Sequence, residues 1–172
     1  MIIKHYELKN NLNKDINYFL FYGQNSGLIE ESINNDLKPI FSKNIFQYEE
    51  SEILTDIDNF KEGIFNKSFF ENDKLIIVNR VSDKILDIIK EIYEEKDKNL
   101  KIILKSGSLE KKSKLRNFFE KNKNLIIVPF YEDTYQSLLI LAQKFFRENK
   151  IRISTQNINY IVEKSKGNRI NL

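Results

Sequence analysis

From Tyr18 to Glu31 the chain runs through an unbroken apolar stretch, Tyr18–Tyr22, then Gly23, Gln24, Asn25, Ser26 and Gly27, then Leu28, Ile29, Glu30 and Glu31. An apolar run of this kind suits a strand covered on both faces. The glycines suit a tight turn. Leu28, Ile29, Ile33 and Leu37 then recur at helical spacing. Strand, glycine turn and helix form the frame in which α/β proteins hold a phosphate. The side chains that work in that frame are absent. A phosphate loop needs Lys and then Ser or Thr directly after its second glycine, the Lys for the β- and γ-phosphates and the hydroxyl for Mg²⁺. Here Leu28 and Ile29 follow Gly27, and the stretch between Gly23 and Gly27 is one residue short. Glu30 and Glu31 favour the helix macrodipole but repel an incoming phosphate. Gly23 and Gly27 are therefore expected to mark a degenerate phosphate loop that binds no nucleotide.

Nucleotide hydrolysis also needs an acid at the end of an apolar strand to hold Mg²⁺. Val78 is followed by Asn79 and Arg80, Leu104 by Lys105 and Ser106, and Val128 by Pro129 and Phe130. None of these supplies it, so no catalytic residue, metal site or cofactor is expected. The alternative reading is a nucleotide-dependent enzyme with a divergent phosphate loop.

The remaining pattern alternates strands and helices. A short helix is expected over 5–14. Strands are expected over 17–22, 44–48, 74–79, 100–104 and 125–128, the last ended by Pro129. Between them lie a helix from Ser26 closed by Pro39, one capped by Ser51 and carrying Ile53, Leu54, Ile57, Phe60 and Ile64, and a loop over 66–73. A helix capped by Ser82 and a basic helix over 109–122 complete the alternation. This order implies βαβ units and a parallel, doubly wound sheet. After Pro129 only helices are expected: one opened by Asp133 and Gln136 as a capping box, and one capped by Ser154 and ended by Gly167. The expected division is an α/β domain over 1–132 and an incomplete small helical domain over 133–172. The residues after Gly167 read as the opening of another helix, which makes the chain an expected fragment.

Composition narrows the classes. The 172 residues contain no Cys and one His, so disulfides, thiol catalysis and Cys- or His-based zinc sites are excluded. No apolar run approaches a membrane span, and the N-terminus lacks the apolar core of a signal peptide. A cytoplasmic protein is the expectation. The net charge of +3 permits contact with nucleic acid without arguing for it.

Three stretches together resemble the delta subunit of the bacterial DNA polymerase III clamp loader. Tyr18–Gly23 with Leu28–Glu31 is similar to that family's opening strand, turn and helix. Ser68, Phe69, Phe70, Glu71, Asn72, Asp73 and Lys74 leading into Leu75–Val78 are similar to its second signature. Ser154 through Asn168 resembles the helix and Gly-Asn step of its small helical domain. The resemblance implies an AAA+/RecA-like five-stranded parallel sheet flanked by helices, without ATPase activity of its own. It implies binding of the sliding clamp (beta subunit), whose ring is held open for loading during DNA replication. It further implies tau/gamma and delta prime subunits as partners, primer–template DNA reached through the assembled complex, and membership of the polymerase III holoenzyme. The clamp-binding positions that it implies are Ser68, Phe69 and Phe70, with Phe69 standing where Leu is usual. Adjacent aromatics amid polar neighbours suit a partner anchor; the competing reading packs one of them into the core.

Lys105, Lys111, Lys112, Lys114, Arg116, Lys121 and Lys123 form the most basic segment. It reads as a solvated helix face. A DNA-facing surface is the alternative, disfavoured because no aromatic stacking platform is interleaved.

Overall fold

The computed structural model describes residues 1–12, 16–41, 44–65 and 73–172. After a 3-10 turn at His5–Glu7 comes a single helical turn, α1 (Leu8–Asn11), shorter than the helix expected over 5–14. Strand β1 (Tyr18–Gly23) leads into α2 (Ser26–Ser32), a π turn at Ile33–Leu37 and α3 (Lys38–Phe41). Then follow β2 (Asn44–Glu49), α4 (Glu50–Thr55), α5 (Ile57–Phe65), β3 (Lys74–Asn79), α6 (Leu86–Glu94) and β4 (Leu100–Ser106). The chain continues with α7 (Lys114–Lys121), β5 (Leu125–Phe130), α8 (Tyr135–Glu148) and α9 (Thr155–Lys164).

All five strands are parallel, in the order β2-β3-β4-β1-β5. Leu20 in β1 lies opposite Leu104 on one side and Ile127 on the other. Alternate residues serve opposite faces, as strand geometry requires. Tyr18, Leu20, Tyr22, Ile76, Val78, Ile102, Leu104 and Ile127 pack with α4, α5, α6 and α7. Phe19, Phe21, Leu75, Ile77, Ile103, Ile126, Val128 and Phe130 pack with α1, α2 and the π turn. Both faces are covered, which is why the inner strands read as continuous apolar runs. A third, smaller cluster of Leu138, Ala142, Ile158 and Val162 joins α8 to α9.

Five local expectations need correction. Pro39 does not close its helix, because the ladder widens just before it: Lys38 N–H bonds to Ile33 O, five residues back, and α3 continues to Phe41. Ser51 is not a cap. Glu49 and Glu52 form a reciprocal capping box with the cap two residues earlier, and the helix breaks at Asp56 into α4 and α5. Pro129 lies within β5, which is an edge strand. Ile127 gives its N–H outward to Met1 O, and the Pro129 nitrogen, two residues on, points the same way beyond that short pairing. The basic helix begins only at Lys114. Ser113 caps it, and Asp83 accepts from Ser113 Oγ (2.6 Å) and from the N–H groups of Lys114 and Leu115 (both 2.9 Å). Thr134 rather than Asp133 caps α8, and the reason lies in what Asp133 binds instead.

Candidate functional site

The Gly23 turn sits at the C-terminal rim of the sheet, where open α/β sheets place their ligands. Gly23 has φ of 136°, and a Cβ there would lie 2.0 Å from Phe130 O, so no side chain fits. Three of the turn's backbone donors go to its own chain. Gly23 N–H bonds to Gly107 O (3.0 Å), Asn25 N–H to Phe130 O (3.5 Å) and Ser26 N–H to Gln24 O (2.9 Å). Asn25 caps α2, its Oδ1 accepting from Leu28 N–H at 3.1 Å. A phosphate loop would turn such donors toward an anion.

Asn25 is buried, and its Nδ2 donates to Tyr131 O (3.0 Å) and to Asp133 Oδ2 (2.9 Å). Asp133 in turn receives a two-pronged guanidinium. Arg169 Nε donates to Oδ2 and Nη2 to Oδ1, each at 2.8 Å, while Nη1 reaches Glu31 Oε2 at 2.6 Å. Ser137 Oγ adds a further hydrogen bond to Oδ1 (2.8 Å). The Arg169 fork, with help from Asn25 and Ser137, holds the Asp133 carboxyl down at about 2 despite its burial. Arg169 belongs to a 3-10 turn, Arg169–Asn171, and the next residue, Ile170, packs on the glycine turn: a Cβ on Gly27 would meet Ile170 Cγ1 at 3.0 Å. Nearby, burial, followed by the Arg169 charge, lowers the pKa of His5.

Beside the turn, Gln24, Glu30, Glu49, Asn79, Arg80 and Lys105 line a cleft of about 640 Å³ along the ends of β1, β2, β3 and β4. Its charges pair off, Glu30 with Lys105, and Glu49 with Arg80 at 2.9 Å. Asn79, at the end of β3, gives its amide to Glu49 Oε1 (3.2 Å). Glu49 is an acid at a strand end that the sequence did not disclose, because the strand expected over 44–48 stops one residue before it. It is committed to Arg80, Asn79 and the α4 cap. Among the described residues no cluster of three His, Asp or Glu side chains could hold a metal ion, and no helix is long and apolar enough to cross a membrane.

Ser68, Phe69 and Phe70 lie outside the described residues. The elements on either side meet at the N-terminal edge of the sheet, since Lys74 Nζ at the start of β3 donates to Gly63 O (2.9 Å) and Ile64 O (3.2 Å) near the end of α5. That edge is opposite the Gly23 turn. Of the basic segment, Lys105 is paired with Glu30, Lys112 with Glu110 (2.8 Å) and Arg116 with Glu120 (2.7 Å), while Lys111, Lys114, Lys121 and Lys123 are exposed. The Asp133–Arg169 pair could not be seen in the sequence. The one available signal, an acid at the head of a helix, points as readily to a cap.

No family model matches the chain, and no curated protein matches it in sequence. Solved structures match it in fold. The Bacillus subtilis DNA clamp loader delta protein (YqeN) superposes with a TM-score of 0.62 at 13% identity, over 96% of this chain and 52% of that one. A Thermotoga maritima RuvB variant gives 0.56 at 12% identity, over 90% and 51%. Domain III of the Thermotoga maritima replication initiation protein DnaA gives 0.50 at 14% identity, over 95% and 75%. At these identities the likeness is one of fold: the five-stranded parallel sheet with flanking helices is of the AAA+/RecA-like kind. The chain spans about half the length of the delta protein and of RuvB.

Proposed function

We propose that the chain acts in DNA replication as part of a clamp-loader subunit of delta type. In this reading it grips a ring-shaped sliding clamp and holds one interface open, and it hydrolyses no ATP itself. The carrying observation is the closed Gly23–Gly27 turn. Gly23, Asn25 and Ser26 give their N–H groups to Gly107 O, Phe130 O and Gln24 O, and Arg169 with Ile170 is folded over the turn. A module built this way, in a fold shared with a clamp loader delta protein, acts by contact rather than by nucleotide turnover. Partner subunits of tau/gamma and delta prime type would supply ATP binding and bring primer–template DNA.

Ser68, Phe69 and Phe70 are assigned the clamp contact. The elements that flank them, the end of α5 and the start of β3, meet at the edge opposite the turn. The test is binding of the intact chain to the immobilised sliding clamp of its own organism, with a melting curve on the same samples. Saturable binding is expected. Phe69→Ala with Phe70→Ala should weaken it by on the order of 3 kcal/mol while the melting temperature moves little. If both rings were core, stability would instead fall by about 3–5 kcal/mol for each. A wild-type chain that ignores the clamp removes the proposed function; a folded double variant that binds as before removes the site.

A further inference from the structure

The two rings of the basic segment, Phe118 and Phe119, pack into the core, but folding brings another ring to it. The ends of β1 and β5 and the loop before α7 enclose a cleft of about 480 Å³, lined among others by Tyr22, Gln24, Leu109, Lys111, Arg116 and Tyr131. Its size is that of a pocket for a small ligand or a single base. Tyr22 is buried, and the Arg116 guanidinium sits 5.0 Å from the centre of its ring. Arg116 is fixed there by Glu120 and by Leu109 O (3.1 Å), so the wall is rigid and its charge is compensated. Tyr131 differs. It is 78% exposed, at the mouth of the cleft, with its backbone anchored by Asn25. A large ring held in water on a fixed backbone is a platform for another flat group. Lys111 lines the same cleft, and Lys112 and Lys114, close to it in the chain, are exposed with it.

We propose that this cleft and its lysines bind a single-stranded nucleic acid. One base stacks on Tyr131, and the phosphates that follow run past Lys111, Lys112 and Lys114. An exposed single ring takes an unstacked base, which a duplex does not offer. Lys112 and Lys114 are not among the residues that line the cleft, so a mononucleotide held at Tyr131 has no second phosphate group to offer them. Glu132 at the mouth and Glu110 beside Lys112 oppose a polyanion, so binding is modest and strongly salt-dependent. The proposal does not depend on the clamp reading, and its test contains no clamp.

The experiment is fluorescence anisotropy of a labelled oligothymidine of about 20 nucleotides, longer than one site of this kind covers, titrated with the intact chain. Saturable binding is expected at low salt. With three phosphates neutralised, affinity should fall about 20-fold for a fourfold rise in salt. Tyr131→Ala should weaken binding at least about fivefold and Tyr131→Phe should restore it, because stacking needs the ring and not the hydroxyl. Reversal of Lys111 and Lys112 to Glu should abolish it. Tyr131 is exposed, so these variants should melt with the wild type. Absence of binding at low salt overturns the proposal. So does a Tyr131→Ala variant that binds as tightly as wild type, or equal competition by a duplex or by thymidine monophosphate.

Discussion

At the scale of the single residue, Gly23 makes the plainest demand. Its φ of 136° and the 2.0 Å approach of a Cβ to Phe130 O mean that even Ala must push the end of β1 away from β5. Gly23→Ala should lose on the order of 3 kcal/mol of stability, measured by urea unfolding. Gly107→Ala is the control, because nothing lies within 4 Å of the added methyl; it should change stability by no more than about 0.5 kcal/mol. The sequence showed that a tight turn falls at Gly23, and the missing Lys and hydroxyl after Gly27 told what the turn lacks. What occupies the turn instead was not legible. Phe130, Asp133 and Arg169 are far away along the chain, and their contacts are fixed by packing rather than by any local pattern.

Among the elements, the clasp between α2, the head of α8 and the turn at Arg169 has a pH signature. The Asp133 carboxyl titrates at about 2 in the folded chain against an ordinary 3.8. Its folded pKa is the lower one, so the unfolded chain takes the proton first. The stabilisation is fully present above about pH 5 and is lost as pH falls through 4 toward 2. The shift corresponds to about 2 kcal/mol, and the Asp133 side chain, 5% exposed, is little screened by solvent. Stability measured against pH should therefore show this step in wild type and lack it in Asp133→Asn. His5 acts in a separate window. Its pKa also lies below the ordinary 6.5, so acid costs stability from about pH 6.5 downward, and His5→Gln should remove that earlier loss. Element identity was largely readable: β3 has the expected bounds, and Ser82 and Ser154 cap as expected. Element ends were less so. Pro39, Pro129 and Ser51 misled because a π turn, an edge position and a rival capping box overrode the local preference.

Across the whole molecule, the burial is uneven. The two sheet faces hold large clusters, whereas α8 and α9 share only Leu138, Ala142, Ile158 and Val162 as buried apolar residues, with Ile140, Phe145 and Tyr160 exposed around them. Amides of α8 and α9 should exchange faster than those of β1, β3 and β4, and equal protection would mean that the helical pair gains its stability from the clasp. Titration with Mg-ATP should give no heat; micromolar affinity would revive the enzyme with a divergent loop. The sheet itself was legible because strands buried on both faces are written as unbroken apolar runs, while the weakly apolar edge strand β2, with Phe46 exposed, hid the acid at its end. The same fold also limits how the turn can change. Placing Lys and Thr at positions 28 and 29 would put a charge and a hydroxyl where Leu28 and Ile29 are buried, in a turn still one residue short and still roofed by Ile170. Each repair alone is harmful until the others are made. No single substitution therefore builds the Lys and hydroxyl of a phosphate loop into this turn; several would have to arrive together.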